Sequence, residues 1–169
     1  MEQNQRATVE ADVPPELAAQ LVRGEITLAE FTGLSRTTLY AIAEHGYQMF
    51  SSGKLEEART IYRGLVAADP FDSVFRCHLA AANHRLGELD EALNEYTMAL
   101  RFNVSNVDAL VGRGEIHLQR GQLAEALEDL TSAIKLDPQG HLTSTLRAGA
   151  ILNALKQAAA SPPTPSAGN

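Results

Sequence analysis

Apolar residues recur along this chain at spacings of three and four, over stretches long enough for helices and cut by short polar breaks. The breaks keep time. They read "SSGKLEEA" at 51–58, "HRLGELDEA" at 84–92 and "QRGQLAEA" at 119–126. Gly53, Gly87 and Gly121 stand 34 residues apart, as do Leu55, Leu89 and Leu123, and Ala58, Ala92 and Ala126. A fixed period of that length is the signature of a repeat architecture. Each unit reads as two helices joined by a glycine-bearing turn. The units end at "AADPFD", "NVSN" and "DPQG", each a helix breaker by composition.

The same periodicity predicts helices on either side of the repeats. "PPELAAQLVRG" (14–24) has proline where a helix tolerates it and glycine where one stops, with Leu17, Leu21 and Val22 as its apolar stripe. In "ITLAEF" (26–31), Thr27 and Glu30 have the spacing of a capping box, and Ile26 and Phe31 that of a hydrophobic staple. A closing helix is expected over 141–157, carrying Leu142, Leu146, Ala150, Ile151 and Leu155, because a terminal repeat leaves one side uncovered. The expected organisation is a flexible tail (1–12), a helical extension (13–34), a repeat domain with its closing helix (35–157) and a disordered Pro- and Ala-rich tail (158–169).

Composition narrows the picture. Aromatic residues make up 5% and tryptophan is absent, so the core must come from alanine and leucine, which favours close-packed helices. The formal charge of −7, with no basic run, argues against binding nucleic acid or an anionic membrane. No apolar run approaches the roughly 20 residues that span a bilayer. Cys77 stands alone, which excludes an intramolecular disulfide, and the polar opening lacks the apolar segment of a signal peptide. A cytoplasmic location is expected.

Catalytic chemistry finds no footing. None of the five histidines (His45, His78, His84, His117, His141) stands at i, i+4 from another histidine or from Cys77. No phosphate loop, nucleophile elbow or zinc-protease motif occurs, and "GRGE" (112–115) sits inside a helix pattern as a packing feature. The reading is of a binding protein without catalytic residues, metal or cofactor.

The repeat resembles the tetratricopeptide repeat, with units at 39–72, 73–106 and 107–140. The small residue at position eight is Gly46, Ala80 and Gly114, and position twenty holds Ala58, Ala92 and Ala126. Position twenty-four holds Tyr62, Tyr96 and Leu130, and position twenty-seven Leu65, Ala99 and Ala133. Pro70 and Pro138 fill position thirty-two, where the middle unit has Val104. The resemblance implies an all-α, right-handed superhelix whose first helices line a concave groove.

Carried over position by position, the groove would present Tyr40, Ala43, Tyr47 and Phe50 from the first unit. The second would add Val74, Cys77, Ala81 and His84, and the third Val111, Glu115 and Leu118. Such a surface is largely apolar, polar at one end, and suited to a peptide with spaced apolar anchors. Family members that clamp a terminal carboxylate use Lys, Asn and Arg. The corresponding positions here hold Ala43, Tyr47, His78, Asp108 and Gly112, which do not make that clamp. For Tyr47 and Phe50 two readings stand open: walls for a ligand, or core packed against the N-terminal helices.

A narrower resemblance rests on the junction of the first two units. Asp69-x-Phe71-Asp72, followed by Phe75 and the "LAA" of Leu79–Ala81, is similar to the class II chaperones of type III secretion, the LcrH/SycD type. It implies a cytoplasmic chaperone that holds apolar segments of hydrophobic translocator proteins in its groove and prevents their aggregation before export. The alternative is a tetratricopeptide adaptor of another complex. Leu17, Leu21, Ile26, Leu28 and Phe31 are apolar enough to cap the repeats or to join a homodimer through the N-terminal helices.

Overall fold

A computed structural model describes residues 13–160. Over these residues the chain is all helix: α1 (Pro15–Val22), α2 (Leu28–Thr32), α3 (Arg36–Ser51), α4 (Leu55–Ala68), α5 (Ser73–Leu86), α6 (Leu89–Phe102), α7 (Val107–Gln119), α8 (Leu123–Leu136) and α9 (Thr143–Ala160). The tail expected at 1–12, and residues 161–169 of the tail expected at 158–169, lie outside the described residues. Helices α3 and α4, α5 and α6, and α7 and α8 form three packed pairs, each stacked on the next. Helix α9 closes the stack against α7 and α8, while α1 packs on α2 and α2 on α4.

Local chemistry explains where the helices begin and end. Gly87 ends α5 in the left-handed region (φ 86°), a conformation a side chain resists, and its N–H reaches back to Asn83 and His84 carbonyls. Asp72 starts the same helix by accepting from the N–H groups of Val74 (2.8 Å) and Phe75 (3.2 Å). Asn106 caps α7 at Ala109 N–H (3.0 Å), and its amide also donates to Ser73 Oγ at 2.8 Å, tying one repeat boundary to the next. The capping box forms as expected: Thr27 Oγ1 accepts from Glu30 N–H, and Glu30 Oε2 accepts from Thr27 N–H.

Packing follows the repeat register. Ala58, Ala92 and Ala126 are all fully buried, so the two helices of each pair touch at a methyl group. Tyr62 and Leu65 anchor the cluster under the first pair; Tyr96, Leu130 and Ile116 anchor a second that runs through the other pairs to Ala148 of α9. The arginine of "GRGE" holds the third pair together: Arg113 grips the buried Asp129 carboxylate with two bonds of 2.8 and 2.7 Å.

Two expectations are corrected. Val22 is 87% exposed, so the inner stripe of α1 consists of Leu17 and Leu21, both half-buried. Helix α9 continues to Ala160, past the boundary expected at 157, since alanines extend a helix readily and the first proline comes only at 162.

Candidate binding groove

The first helices of the pairs meet α9 around a set of adjoining cavities. The principal one, of about 400 Å³, is walled by Tyr47 and Phe50 of α3, His78 and Ala81 of α5, and Asp108 of α7. Tyr62 and Tyr96 reach into it from the second helices, and Thr143, Ser144 and Arg147 close it from α9. A second cavity, about 290 Å³, lies between Tyr40, Tyr47, Val74 and His78; a third, about 230 Å³, runs from Val74 and His78 to Asp108 and Leu142. His78 is common to all three.

The aromatic end is held by specific contacts. Tyr47 is 52% exposed and lies tilted beside the His78 ring, with centroids 6.3 Å apart. Phe50 is half-buried under the Arg85 guanidinium, 5.4 Å above its centroid. Phe50 also packs against the core cluster that joins Ala29 of α2 to Leu39 and Ala43 of α3. Tyr47 stands as an exposed side chain on the cavity wall. Tyr40 donates to Asp72 Oδ2 at 2.9 Å and packs on Phe75 at 5.1 Å, which fixes its ring at the groove edge. Burial raises the pKa of Tyr62 and of the Cys77 thiol well above their ordinary values, so Cys77 is an inert thiol in the groove floor.

The far end is polar. Ser144 donates to Asp108 across the α7–α9 interface, and Arg147 pairs with Glu115 at 2.5 Å. His84 contacts Gln119 through Nε2 at 3.0 Å and stands edge-on to Tyr96. Burial lowers the His84 pKa, against the pull of Glu115. Leu118 is half-buried against the second core cluster.

Position five of the first helices is where expectation and structure part. Ala43 and Cys77 are 5% and 4% exposed, pressed into the floor by the tyrosines of the second helices. Val111 is fully buried, packed with Ala148 of α9 in the core, and gives a ligand no surface. The structure also brings in residues that the repeat pattern did not select: His78, Tyr62, Tyr96, Thr143, Ser144 and Arg147. The signal for Tyr62 and Tyr96 was present, since position twenty-four was marked as bulky. Nothing in the register announced the residues of α9. Among the described residues no three of His, Cys, Asp and Glu gather as a metal site, and no helix is long and apolar enough to cross a membrane.

Comparison with known proteins agrees with this geometry. The family model of the tetratricopeptide repeat matches residues 85–141. The low calcium response locus protein H of Yersinia pestis is 28% identical over 137 residues, covering 80% of this chain and 82% of its own. The chain thus carries tetratricopeptide repeats. The model of the bacterial transcriptional activator domain matches residues 11–105, more than half of the chain. The chain belongs to that family, the described part of the match being the N-terminal helices and the first two helix pairs.

Two solved tetratricopeptide structures frame the binding question. The translocator chaperone SycD of Yersinia enterocolitica, in complex with a peptide of the translocator YopD, matches at 29% identity with a TM-score of 0.65, covering 75% of this chain and 98% of that one. The first TPR of Spaghetti (RPAP3), bound to the HSP90 peptide SRMEEVD, matches at 28% identity and a TM-score of 0.65, covering 75% and 97%. This chain is thus homologous to the low calcium response locus protein H and shares the fold of the translocator chaperones.

Proposed function

We propose that this protein is a type III secretion translocator chaperone, holding an apolar segment of a translocator subunit in its groove before export. The observation that carries the reading is the open aromatic wall of Tyr47 and Phe50, in a chain homologous to chaperones solved with translocator peptides. A translocator must remain unfolded for export and later enter a membrane, so its apolar segments aggregate unless covered. Aromatic walls bury a large area with few rotors, which suits them to short anchors. The chaperone acts in the cytoplasm, where the client is made, and needs neither cofactor nor catalysis.

The carboxylate-clamp alternative finds little support. At the corresponding positions stand Ala43, Tyr47, His78, Asp108 and Gly112, and Asp108 would repel a terminal carboxylate. Of the nearby cations, Arg147 is engaged by Glu115 and Arg85 lies over Phe50. Self-association is a second interaction open to the same molecule: among the described residues α1 packs only on α2 and contains no buried residue, so Leu17 and Leu21 can be covered by a second copy. Leu17→Glu would then dissociate a dimer in sedimentation velocity.

The groove is tested by co-expressing the chain with a membrane-active translocator subunit from the same cell. The wild-type chain should keep the client soluble and co-purify with it. Tyr47→Asp or Phe50→Asp should abolish both, with the helical circular dichroism and melting of the chaperone retained. If both folded variants still hold the client, the groove assignment is wrong.

A further inference from the structure

Tyr62 and His78 form a short hydrogen-bond chain whose direction is fixed at one end. The Ala43 carbonyl oxygen can only accept, so the Tyr62 hydroxyl donates its single proton there across 3.1 Å. The 2.9 Å contact between the same hydroxyl and His78 Nδ1 must then run the other way, with Nδ1–H donating to a hydroxyl lone pair. The opposite assignment would leave two oxygen atoms facing each other at 3.1 Å with no proton between them. Edge-on contact with Tyr62 (4.9 Å) and the tilted Tyr47 ring (6.3 Å) hold the imidazole plane in place.

The other ring nitrogen is left over. Burial holds the His78 pKa below the ordinary imidazole value of 6.5, outweighing the opposing pull of Asp108, Asp72 and Glu44. The ring is therefore neutral near pH 7, and Nε2 carries a lone pair. Among the described residues, the only hydrogen bond of the ring is the one to Tyr62. His78 also lines all three cavities of the groove. A fixed acceptor at the meeting point of three cavities is a recognition group.

We propose that His78 Nε2 accepts a hydrogen bond from a backbone N–H of the bound client segment. This deepens the chaperone reading and rests on it. An extended segment has backbone N–H groups to offer, whereas a helix spends them internally. A main-chain bond also fits a chaperone whose apolar contacts are tolerant of sequence, because every residue except proline can supply it. Tyr62 acts as a positioning residue: it fixes the tautomer and touches the client through the cavity wall only.

The unliganded protein gives the first test. In histidine-labelled chain at pH 7, long-range 15N–1H correlation should show His78 protonated at Nδ1 and bare at Nε2. A proton on Nε2 overturns the proposal at once. The second test uses synthetic peptides tiling the co-expressed translocator, the tightest binder then being remade with one amide at a time replaced by an ester. One ester position should weaken binding to the wild-type chain about fivefold to tenfold, the worth of one net hydrogen bond. His78→Phe should bind the all-amide peptide weaker by about the same factor and be indifferent to that ester. His78→Gln, whose amide can donate to Tyr62 and accept through Oε1, should recover most of the affinity. Equal ester effects in wild type and His78→Phe overturn the inference alone. A wild-type chain that holds no translocator peptide overturns the proposed function and this inference together.

Discussion

The two inter-repeat junctions use the same tyrosine to opposite ends. Tyr62 and Tyr96 occupy position twenty-four of successive repeats, are 1% and 4% exposed, and each reaches position six in the first helix of the following repeat. At the first junction that position is His78, which bonds the tyrosine hydroxyl at 2.9 Å and faces the groove. At the second it is Gly112, where an added Cβ would lie 2.2 Å from Tyr96 Cζ. One junction spends its tyrosine on orienting a polar group in the groove. The other spends it on closing the stack, with the hydroxyl end of the ring against bare backbone. A repeat position can therefore carry chemistry or packing, and the residue opposite decides which.

The comparison breaks most visibly at Gly112. Gly112→Ala should destabilise the fold by about 2 kcal/mol, within the usual cost of overpacking, since the buried Tyr96 ring must shift to admit the methyl group. Gly64→Ala is the control: nothing lies within 4 Å of its Cβ, so it should be neutral or stabilising by up to about 1 kcal/mol. Urea denaturation of both variants separates the two. Equal midpoints would mean that the second junction is looser than its geometry. Ala92, fully buried between α5 and α6, should likewise resist a larger side chain, at about 1–3 kcal/mol for Ala92→Leu.

The tyrosine hydroxyls sharpen the contrast. Tyr62→Phe removes the bonds to Ala43 oxygen and His78 and should cost about 1 kcal/mol. Among the described residues the Tyr96 hydroxyl has no hydrogen-bond partner, so Tyr96→Phe should change stability little. If both cost the same in denaturant melts, the hydroxyl of Tyr62 has no special place.

Much of this was legible beforehand, for identifiable reasons. The 34-residue register placed Tyr62 and Tyr96 at equivalent sites, and Thr27 with Glu30 formed a capping box because both partners lie within one turn. Tyr47 and Phe50 reached the groove because helix periodicity fixes which face a residue takes. The need for glycine at 112 was hidden, because its clash comes from a side chain sixteen residues earlier in the preceding repeat. Val111 was read as groove-facing, but α9 covers it, and the seat of α9 depends on Ala148, Ile151 and Leu152 finding the core. The same seating brought Arg147 and Ser144 to the groove, which a repeat register ending at 140 could not foresee. Val22 failed because α1 has too few neighbours to bury a full stripe.

Acid should also tell the junctions apart. The His78 pKa is lowered in the folded chain, chiefly by burial, so between that value and the ordinary 6.5 the unfolded chain binds the extra proton. Stability is then full above pH 6.5 and declines as pH falls through the depressed value. His84, lowered for the same reason, adds a loss of the same sign. His78→Gln should flatten part of the acid limb in melts taken from pH 7.5 to 5, and an unchanged limb would show that His78 is accessible to protons without cost. Gly112 does not titrate, so at the second junction the acid loss comes from His84, beside Tyr96 and Gln119, and not from position six.

The smallest expected effect lies where α9 meets the second junction. Arg147 and Glu115 are 50% and 22% exposed, so their 2.5 Å pair is partly solvated and worth under about 1 kcal/mol to the fold. Helix α9 is held instead by Ala148, fully buried, and by Asp137, whose carboxylate accepts from the N–H groups of His141 (3.1 Å) and Leu142 (2.8 Å). Arg147→Ala should therefore leave the denaturation midpoint almost unmoved while removing the cation from the groove wall. A client whose affinity is unchanged by Arg147→Ala is bound at the aromatic end alone. A client that loses affinity must extend past His78 to α9, so this near-silent variant measures how far along the groove the bound segment runs.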